Sequence, residues 1–325
     1  GLQRTTTSSI SRTAAWPAFI SEADAHRLPQ GPRYLMKESG DSSARGAFET
    51  GFEGGFESGE DAVILVHGSG STARITHHGA HVVSWVDSAG QERFYLSSRA
   101  RYGPGESIRG GIPVVFPQFA TGPLPKHGFL RTRRWSLQAH LGSSATFRIT
   151  DDEQTRALWP YSFIAELTVE LAEMLTVSLL IRNSGDSPFS FTAALHNYFA
   201  VTDVKKAAVD GLSGLVYVDK VGGGTRCIEE DPELRIHGET DRIYIAGPRR
   251  VAISSAIDSS STVIGADGFG DWVVWNPWRE LSASLADMEP ADYLGMLCVE
   301  AARISDPVVL SPGATWSGTE VIGAT

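Results

Sequence analysis

The strongest constraint in this chain is its punctuation. Beyond residue 61, runs rich in Val, Ile, Thr, Tyr and Phe are closed again and again by Gly, Asp, Asn or Pro. AVILVH, GSGS and TARITHH in succession read as strand, turn and strand, and GAHVVSWV continues the pattern. Further runs are FIAELTVEL (163–171), LTVSLLIRN (175–183), FSFTAALHNYFAV (189–201), LVYVDKV (215–221), DRIYIAG (241–247), RVAISSAI (250–257), DWVVWN (271–276) and LGMLCVEAA (294–302). β-Branched and aromatic side chains pack well on a pleated surface, and the turn residues supply the backbone angles that reverse the chain. Residues 163–183 predict a hairpin turning at Ala172–Met174. No segment combines a long helical apolar period with caps, and strands do not alternate with helices, which argues against a dinucleotide-binding α/β sheet. The pattern predicts an all-β, mostly antiparallel sandwich or barrel with few short helices.

The chain has 325 residues, enough for two domains or one large β domain. Residues 38–60, ESGDSSARGAFETGFEGGFESGE, place Phe48, Phe52 and Phe56 at a period of four. The interspersed glycines each cost a helix ~1 kcal/mol relative to Ala, so a loop or linker is expected there. Residues 1–60 are therefore read as an N-terminal tail and Gly/Glu/Phe-rich linker, and residues 61–325 as one compact domain. The first residues carry Arg4, Arg12 and many hydroxyls without an acid, a faint likeness to a transit peptide. A polar tail on a cytoplasmic protein is the preferred expectation.

Lys plus Arg number 28 and Asp plus Glu 38, a net charge of −10. Such a surface repels phosphate backbones, so no nucleic-acid partner is expected. No apolar run approaches the ~20 residues that span a bilayer, so no membrane partner is expected either. Cys227 and Cys298 are too few for a disulfide scaffold or a Cys-rich zinc site. A monomer is expected, with the Phe-bearing segment at 48–56 as the candidate contact surface.

Several constellations carry chemistry. ILVHGSGS (64–71) has the strand and His-Gly of an α/β-hydrolase oxyanion loop, but the chain lacks the Gly-x-Ser-x-Gly elbow, which favours a hairpin turn. His77, His78 and His81 invite a metal reading; Gly79 between them and the missing third ligand argue against it. The segment 109–135, RGGIPVVFPQFATGPLPKHGFLRTRRW, concentrates Arg109, Lys126, His127, Arg131, Arg133 and Arg134 in an acidic protein. Its prolines stiffen it, and Gly110 and Gly111 permit close backbone approach. A rigid cationic loop suits a compact anion, while a solvated basic loop is the bland alternative. The cations alternate with Phe116, Phe119, Phe129 and Trp135, which favours the site. His196 lies inside an apolar run, where a satisfied core histidine competes with a catalytic one. Glu300 sits in the apolar GMLCVEAA, and a buried carboxylate needs a partner or a raised pKa. It is thus a candidate general base, with an interior salt bridge as the alternative. Asp241, at a strand start, is less telling.

Taken together, RGGIPVVFPQF, PLPKHGFLR with the nearby RRW, WPYSF, LHNYFAV, GETDRIY, VVWNPW and CVEAA resemble the hexose-6-phosphate mutarotase branch of the aldose 1-epimerase superfamily, in order over roughly residues 62–320. The resemblance implies a galactose-mutarotase-like β-supersandwich with a cleft on its concave face. It implies interconversion of α and β anomers of a sugar phosphate, with His196 as general acid and Glu300 as general base. Asp241 would hold sugar hydroxyls, Arg109, Arg131 and Lys126 the phosphate end, and His127 would line the pocket. Lys126 stands where relatives often carry Gln or Ala. Acid–base ring opening needs no cofactor or metal. The alternatives are an aldose 1-epimerase acting on unphosphorylated sugar and a non-catalytic carbohydrate-binding protein. The cations argue against the first, and an intact acid–base pair against the second.

Overall fold

The structure, a computed structural model, describes residues 61–255 and 261–324. The tail and Phe-bearing segment expected over 1–60 lie outside them. Strands β1 (Ala62–Val66), β2 (Thr72–Thr76) and β3 (His81–Val86) form a small antiparallel sheet. The chain continues through β4 (Val114–Val115), β5 (Ser136–His140), β6 (Ser144–Thr150), helix α1 (Glu153–Leu158), β7 (Phe163–Leu171), β8 (Leu175–Asn183), β9 (Phe189–Leu195) and β10 (Tyr198–Ala200). Then come β11 (Ala207–Asp210), β12 (Val216–Asp219), β13 (Thr225–Ile228), β14 (Glu233–Arg235), β15 (Thr240–Tyr244), β16 (Arg250–Ser255), β17 (Ser261–Asp267) and β18 (Asp271–Asn276). Helix α2 (Trp278–Ser284), β19 (Met296–Leu310) and β20 (Thr315–Ala324) complete it. One large sheet has the order β13-β12-β15-β18-β19-β9-β4, with β10 also on β19; the other is β14-β11-β16-β17-β20-β8-β7-β6-β5. All these pairings are antiparallel, and the fold is the expected all-β sandwich with few short helices.

The β7–β8 hairpin turns at Ala172–Met174 as expected. Phe163, Ala165, Leu167, Val169 and Leu171 alternate inward and meet Leu175, Val177, Leu179 and Ile181 in one apolar cluster. Leu297, Val299 and Ala301 of β19 and Phe189 and Phe191 of β9 join that cluster from the other large sheet. Burial of each such Leu, Val, Ile or Phe side chain is worth ~1.5–3 kcal/mol. Because side chains alternate with a period of two, Met296, Cys298, Glu300 and Ala302 project to the opposite face of β19. The sheet therefore has an apolar back and a mixed front.

The run 189–201 is not one strand. β9 pairs with β19 up to Leu195↔Ala301, and β10 resumes at Tyr198↔Cys298 in the same register. His196 and Asn197 fall opposite Glu300 and Val299, but the backbone ladder to β19 is interrupted there. The His196 and Tyr198 amides continue the β4 side, donating to Pro113 and Gly111, while the Asn197 backbone amide turns from β19 to the Leu195 carbonyl, 3.1 Å away. The Asn197 side-chain amide substitutes for the missing ladder bond by donating to the Val299 carbonyl, 3.2 Å away.

Candidate active site

Two transverse rows of side chains form the floor of the site. Asp241, Trp275, Cys298 and Tyr198 are successive cross-strand partners on β15, β18, β19 and β10. Lys220 continues this row, because the Asp219↔Arg242 pairing puts it opposite Asp241. The neighbouring row is Ile243, Val273 and Glu300, with His196 falling opposite Glu300. Above the floor lies the segment that carries Ser107, Arg109, Phe119, Lys126, His127 and Arg131. Side chains from the floor and from this segment line an open cavity in which polar and charged groups converge, the kind of concave site that takes a small organic ligand. All seven residues singled out in the sequence, His196, Glu300, Arg109, Lys126, His127, Arg131 and Asp241, line this cavity.

Glycine seats the covering segment. A Cβ on Gly111, at φ 57°, would stand 2.1 Å from the Val82 carbonyl oxygen of β3. A Cβ on Gly128, at φ 73°, would stand 1.9 Å from the Phe116 carbonyl oxygen. The close approach permitted by Gly110 and Gly111 is thus to neighbouring backbone. It fixes where Arg109 and the His127–Arg131 turn emerge.

His196 Nδ1 lies 3.4 Å from Glu300 Oε1, and both side chains are almost wholly buried. Nδ1 has no hydrogen-bond partner among the described residues, so the contact is a close approach of two titratable groups. Burial moves both toward neutrality. It pushes the His196 imidazole well below its ordinary value, aided by His127, Arg131 and Arg109. It pushes the Glu300 carboxyl well above its own, aided by Asp241 and opposed by Arg131. The pair is one proton shift from carboxylate and imidazolium. Tyr198 stacks on the imidazole at 4.8 Å with an interplanar angle of 8°, and Trp275 meets it edge-on at 6.2 Å.

His127 packs edge-on against His196 at 5.3 Å and against Phe119 at 5.0 Å. Its Nδ1 accepts from the Ala120 amide at 3.3 Å. Burial, then the charges of Arg131 and Lys126, hold the ring pKa down at about 3. The ring is neutral with its proton on Nε2, leaving that nitrogen a donor.

The cations differ in how free they are. Arg109 is already engaged by Asp287 and by the Tyr198 hydroxyl, 2.8 Å away. Arg131 donates from one terminal nitrogen to the Lys126 carbonyl at 2.8 Å, and its buried Nε has no partner. Among the described residues, no carboxylate stands within ion-pair distance of Arg131, Lys126 or Lys220. Burial, with Arg109 and Arg131 nearby, lowers the Lys126 pKa. Burial raises that of Asp241, against the pull of Lys220. The remaining basic residues of the segment lie elsewhere: Arg133 pairs with Asp152 and Arg134 with Asp61.

The histidines at 77, 78 and 81 do not converge. His81 bonds the Gly110 carbonyl at 2.7 Å, His78 the Glu106 carbonyl at 2.8 Å, and His77 lies 3.3 Å from Asp61. Among the described residues, no group of three His, Cys, Asp or Glu is placed to hold a metal ion. Cys298 shares the face of Glu300, as its spacing predicts, but packs with Tyr198, Met288 and Met296 beneath the cavity. Lys220, Tyr198, Trp275 and Asp287 were not singled out by sequence. The strings HNYF and VVWNPW marked two of them; Lys220 and Asp287 look like ordinary solvated charges.

Residues 61–323 match the family model for aldose 1-epimerase. A protein of Cenchrus ciliaris named "Putative glucose-6-phosphate 1-epimerase" is 34% identical over 82% of this chain and 85% of its own length. A protein of Escherichia coli K12 with the same name is 32% identical over 76% and 84%. The crystal structure of "a putative mutarotase" from Salmonella typhimurium superposes with a TM-score of 0.75 at 26% identity, over 81% of this chain and 90% of that one.

Proposed function

The chain belongs to the aldose 1-epimerase family and is an isomerase, and from that premise we propose that it interconverts the α and β anomers of a hexose 6-phosphate, glucose 6-phosphate first. The observation that carries the substrate class is the set of cavity cations without carboxylate partners, Arg131, Lys126 and Lys220, beside the close His196–Glu300 pair. A neutral sugar has no use for such charges. A phosphate dianion neutralises them and gains charge-assisted hydrogen bonds, bidentate ones at Arg131. The named relatives act as supporting evidence for the same substrate class.

The chemistry follows from the pair. The working form of the pair is the one a single proton shift away from the neutral one, with the proton moved from Glu300 to His196. The shared proton then sits on His196 and Glu300 is a carboxylate. Glu300 takes the proton from the C1 hydroxyl as His196 gives its proton to the ring oxygen. The C1–O5 bond breaks and leaves the open-chain aldehyde. C1 turns by rotation about the C1–C2 bond, the C5 hydroxyl attacks the other face, and the two protons return. Each side chain ends as it began, so the step uses no cofactor. Asp241 accepts hydrogen bonds from sugar hydroxyls, flanked by Lys220. Neutral His127 donates from Nε2. Arg109, tied to Asp287, shapes the wall and anchors Tyr198 against His196, with its remaining N–H groups left for the phosphate.

The test is two-dimensional exchange NMR on glucose 6-phosphate with glucose as control. Enzyme-dependent cross-peaks between the anomeric protons of the phosphate ester alone are expected. Exchange of glucose alone would reject the substrate class, and exchange of neither would reject the activity.

A further inference from the structure

Behind the His196–Glu300 pair, in the apolar space between the two large sheets, lies a second carboxyl that the proposed chemistry does not use. Glu320 of β20 is completely buried, on the same face as Gly318 and Ile322, and its strand partner Val177 belongs to the core cluster. Its Oε1 accepts from the side-chain amide of Asn197, also completely buried, which belongs to the other sheet. Glu320 Oε2 meets no polar partner among the described residues. Burial pushes the carboxyl pKa up to about 8, so it stays neutral at physiological pH. A carboxyl in an apolar core is destabilising relative to a packed hydrophobic side chain, so its presence calls for a role.

Its partner indicates what. The Asn197 amide makes two donations, one to Glu320 and one to the carbonyl of Val299, the residue before Glu300. Asn197 also follows His196 directly, at the point where β9 and β10 leave the ladder of β19. The same amide therefore spans the interruption and ties it to a rigid strand of the opposite sheet.

We propose that Asn197 and Glu320 are a buried positioning pair, which fixes the two-residue break behind the site and so holds the His196 imidazole at its working distance from Glu300. Neither touches substrate; both act through His196 and the backbone of β19. The inference rests on the anomerase reading above.

Exchange rates for glucose 6-phosphate are measured for wild type, E320L, N197D and E320Q, with folding checked by circular dichroism. E320L removes the acceptor; N197D, nearly isosteric, removes both donations. Each is expected to lower kcat by about 10–100-fold, the scale of a small misplacement of a catalytic group. KM should stay within about threefold, because the cations that bind substrate are untouched. E320Q keeps an oxygen facing the Asn197 amide and is expected to restore kcat to within about threefold of wild type. Wild-type kcat in folded E320L or N197D would overturn the proposal, as would a loss carried by KM alone. If E320L does not fold, N197D decides. A wild-type protein without exchange would overturn the anomerase reading itself, an outcome visible before any variant is compared.

Discussion

Arg109 and Asp287 lie 178 residues apart and are joined by two hydrogen bonds of 3.1 and 3.2 Å. The third arm of the guanidinium holds the Tyr198 hydroxyl. The pair is about four-fifths buried on each side, so its charges are only partly screened by solvent. D287A leaves the cation without its partner and is expected to cost about 2 kcal/mol of unfolding free energy. Denaturant unfolding of D287A beside wild type measures this, and equal midpoints with equal slopes would show that the pair contributes nothing.

Removing the acid or the base should stop chemistry while sparing binding. E300Q and H196N are each expected to reduce the exchange rate by about 10²–10⁴-fold. Binding of glucose 6-phosphate, followed by tryptophan fluorescence with Trp275 on the cavity floor, should change little. Residual exchange near the wild-type rate in E300Q would remove Glu300 from the mechanism.

Two substitutions should separate the ends of the substrate. R131A loses a charge-assisted contact worth ~1.5–3 kcal/mol, a KM increase of roughly 10–150-fold for the phosphate ester. Glucose, where turned over at all, should be affected little by R131A. D241N, by contrast, should weaken both substrates to a similar degree. Parallel losses for both substrates in R131A would move the phosphate away from that end of the cavity.

Stability should carry the signature of the buried groups. His81 and His127 are both held near a pKa of about 3, down from the ordinary histidine value of 6.5, chiefly by burial. Between those values the unfolded chain binds protons that the folded chain does not, so their contribution to stability rises with pH and is complete above 6.5. Glu320 acts in the opposite sense, with a folded pKa of about 8 against 4.5. Over that window the folded protein binds the extra proton, and stability falls as pH rises. Between pH 6.5 and 8 the wild type should lose stability more steeply than E320Q, by up to about 1.4 kcal/mol per pH unit. Chemical denaturation at the two ends of that window checks it; parallel behaviour would show that Glu320 does not carry the proton.

Strand identity was legible in this sequence wherever alternation and turn chemistry agreed, as in the hairpin over 163–183. The unusual setting of Glu300, buried and facing the cavity, was legible because a carboxyl inside GMLCVEAA contradicts its surroundings. The interruption at His196–Asn197 was not, because nothing local in FSFTAALHNYFAV distinguishes a continuous strand from one that drops a ladder bond. The break shows only in the Asn197 backbone amide, which turns to the Leu195 carbonyl and away from β19. Arg109 was readable as a site residue but not as an engaged one, since its partner Asp287 comes from a distant loop. Lys220 ends an ordinary-looking strand, and only the pairing of β12 with β15 sets it beside Asp241.

The interruption between β9 and β10 has a parity. Two residues separate Leu195 from Tyr198, and the pairing with β19 is aligned on both sides of them. The alternation of a strand runs through the gap unbroken, so Leu195 and Asn197 take the back of the sheet while His196 and Tyr198 share the front. Deleting one residue there would transpose every side chain beyond it, turning Tyr198 toward the inter-sheet core and leaving Arg109 and the imidazole without their neighbour. Length variation should therefore be tolerated in the surface turns of this sheet and refused at its seam. The opening in the hydrogen-bond lattice behaves as a fixed aperture, whose width is set by the side-chain period of a β-strand.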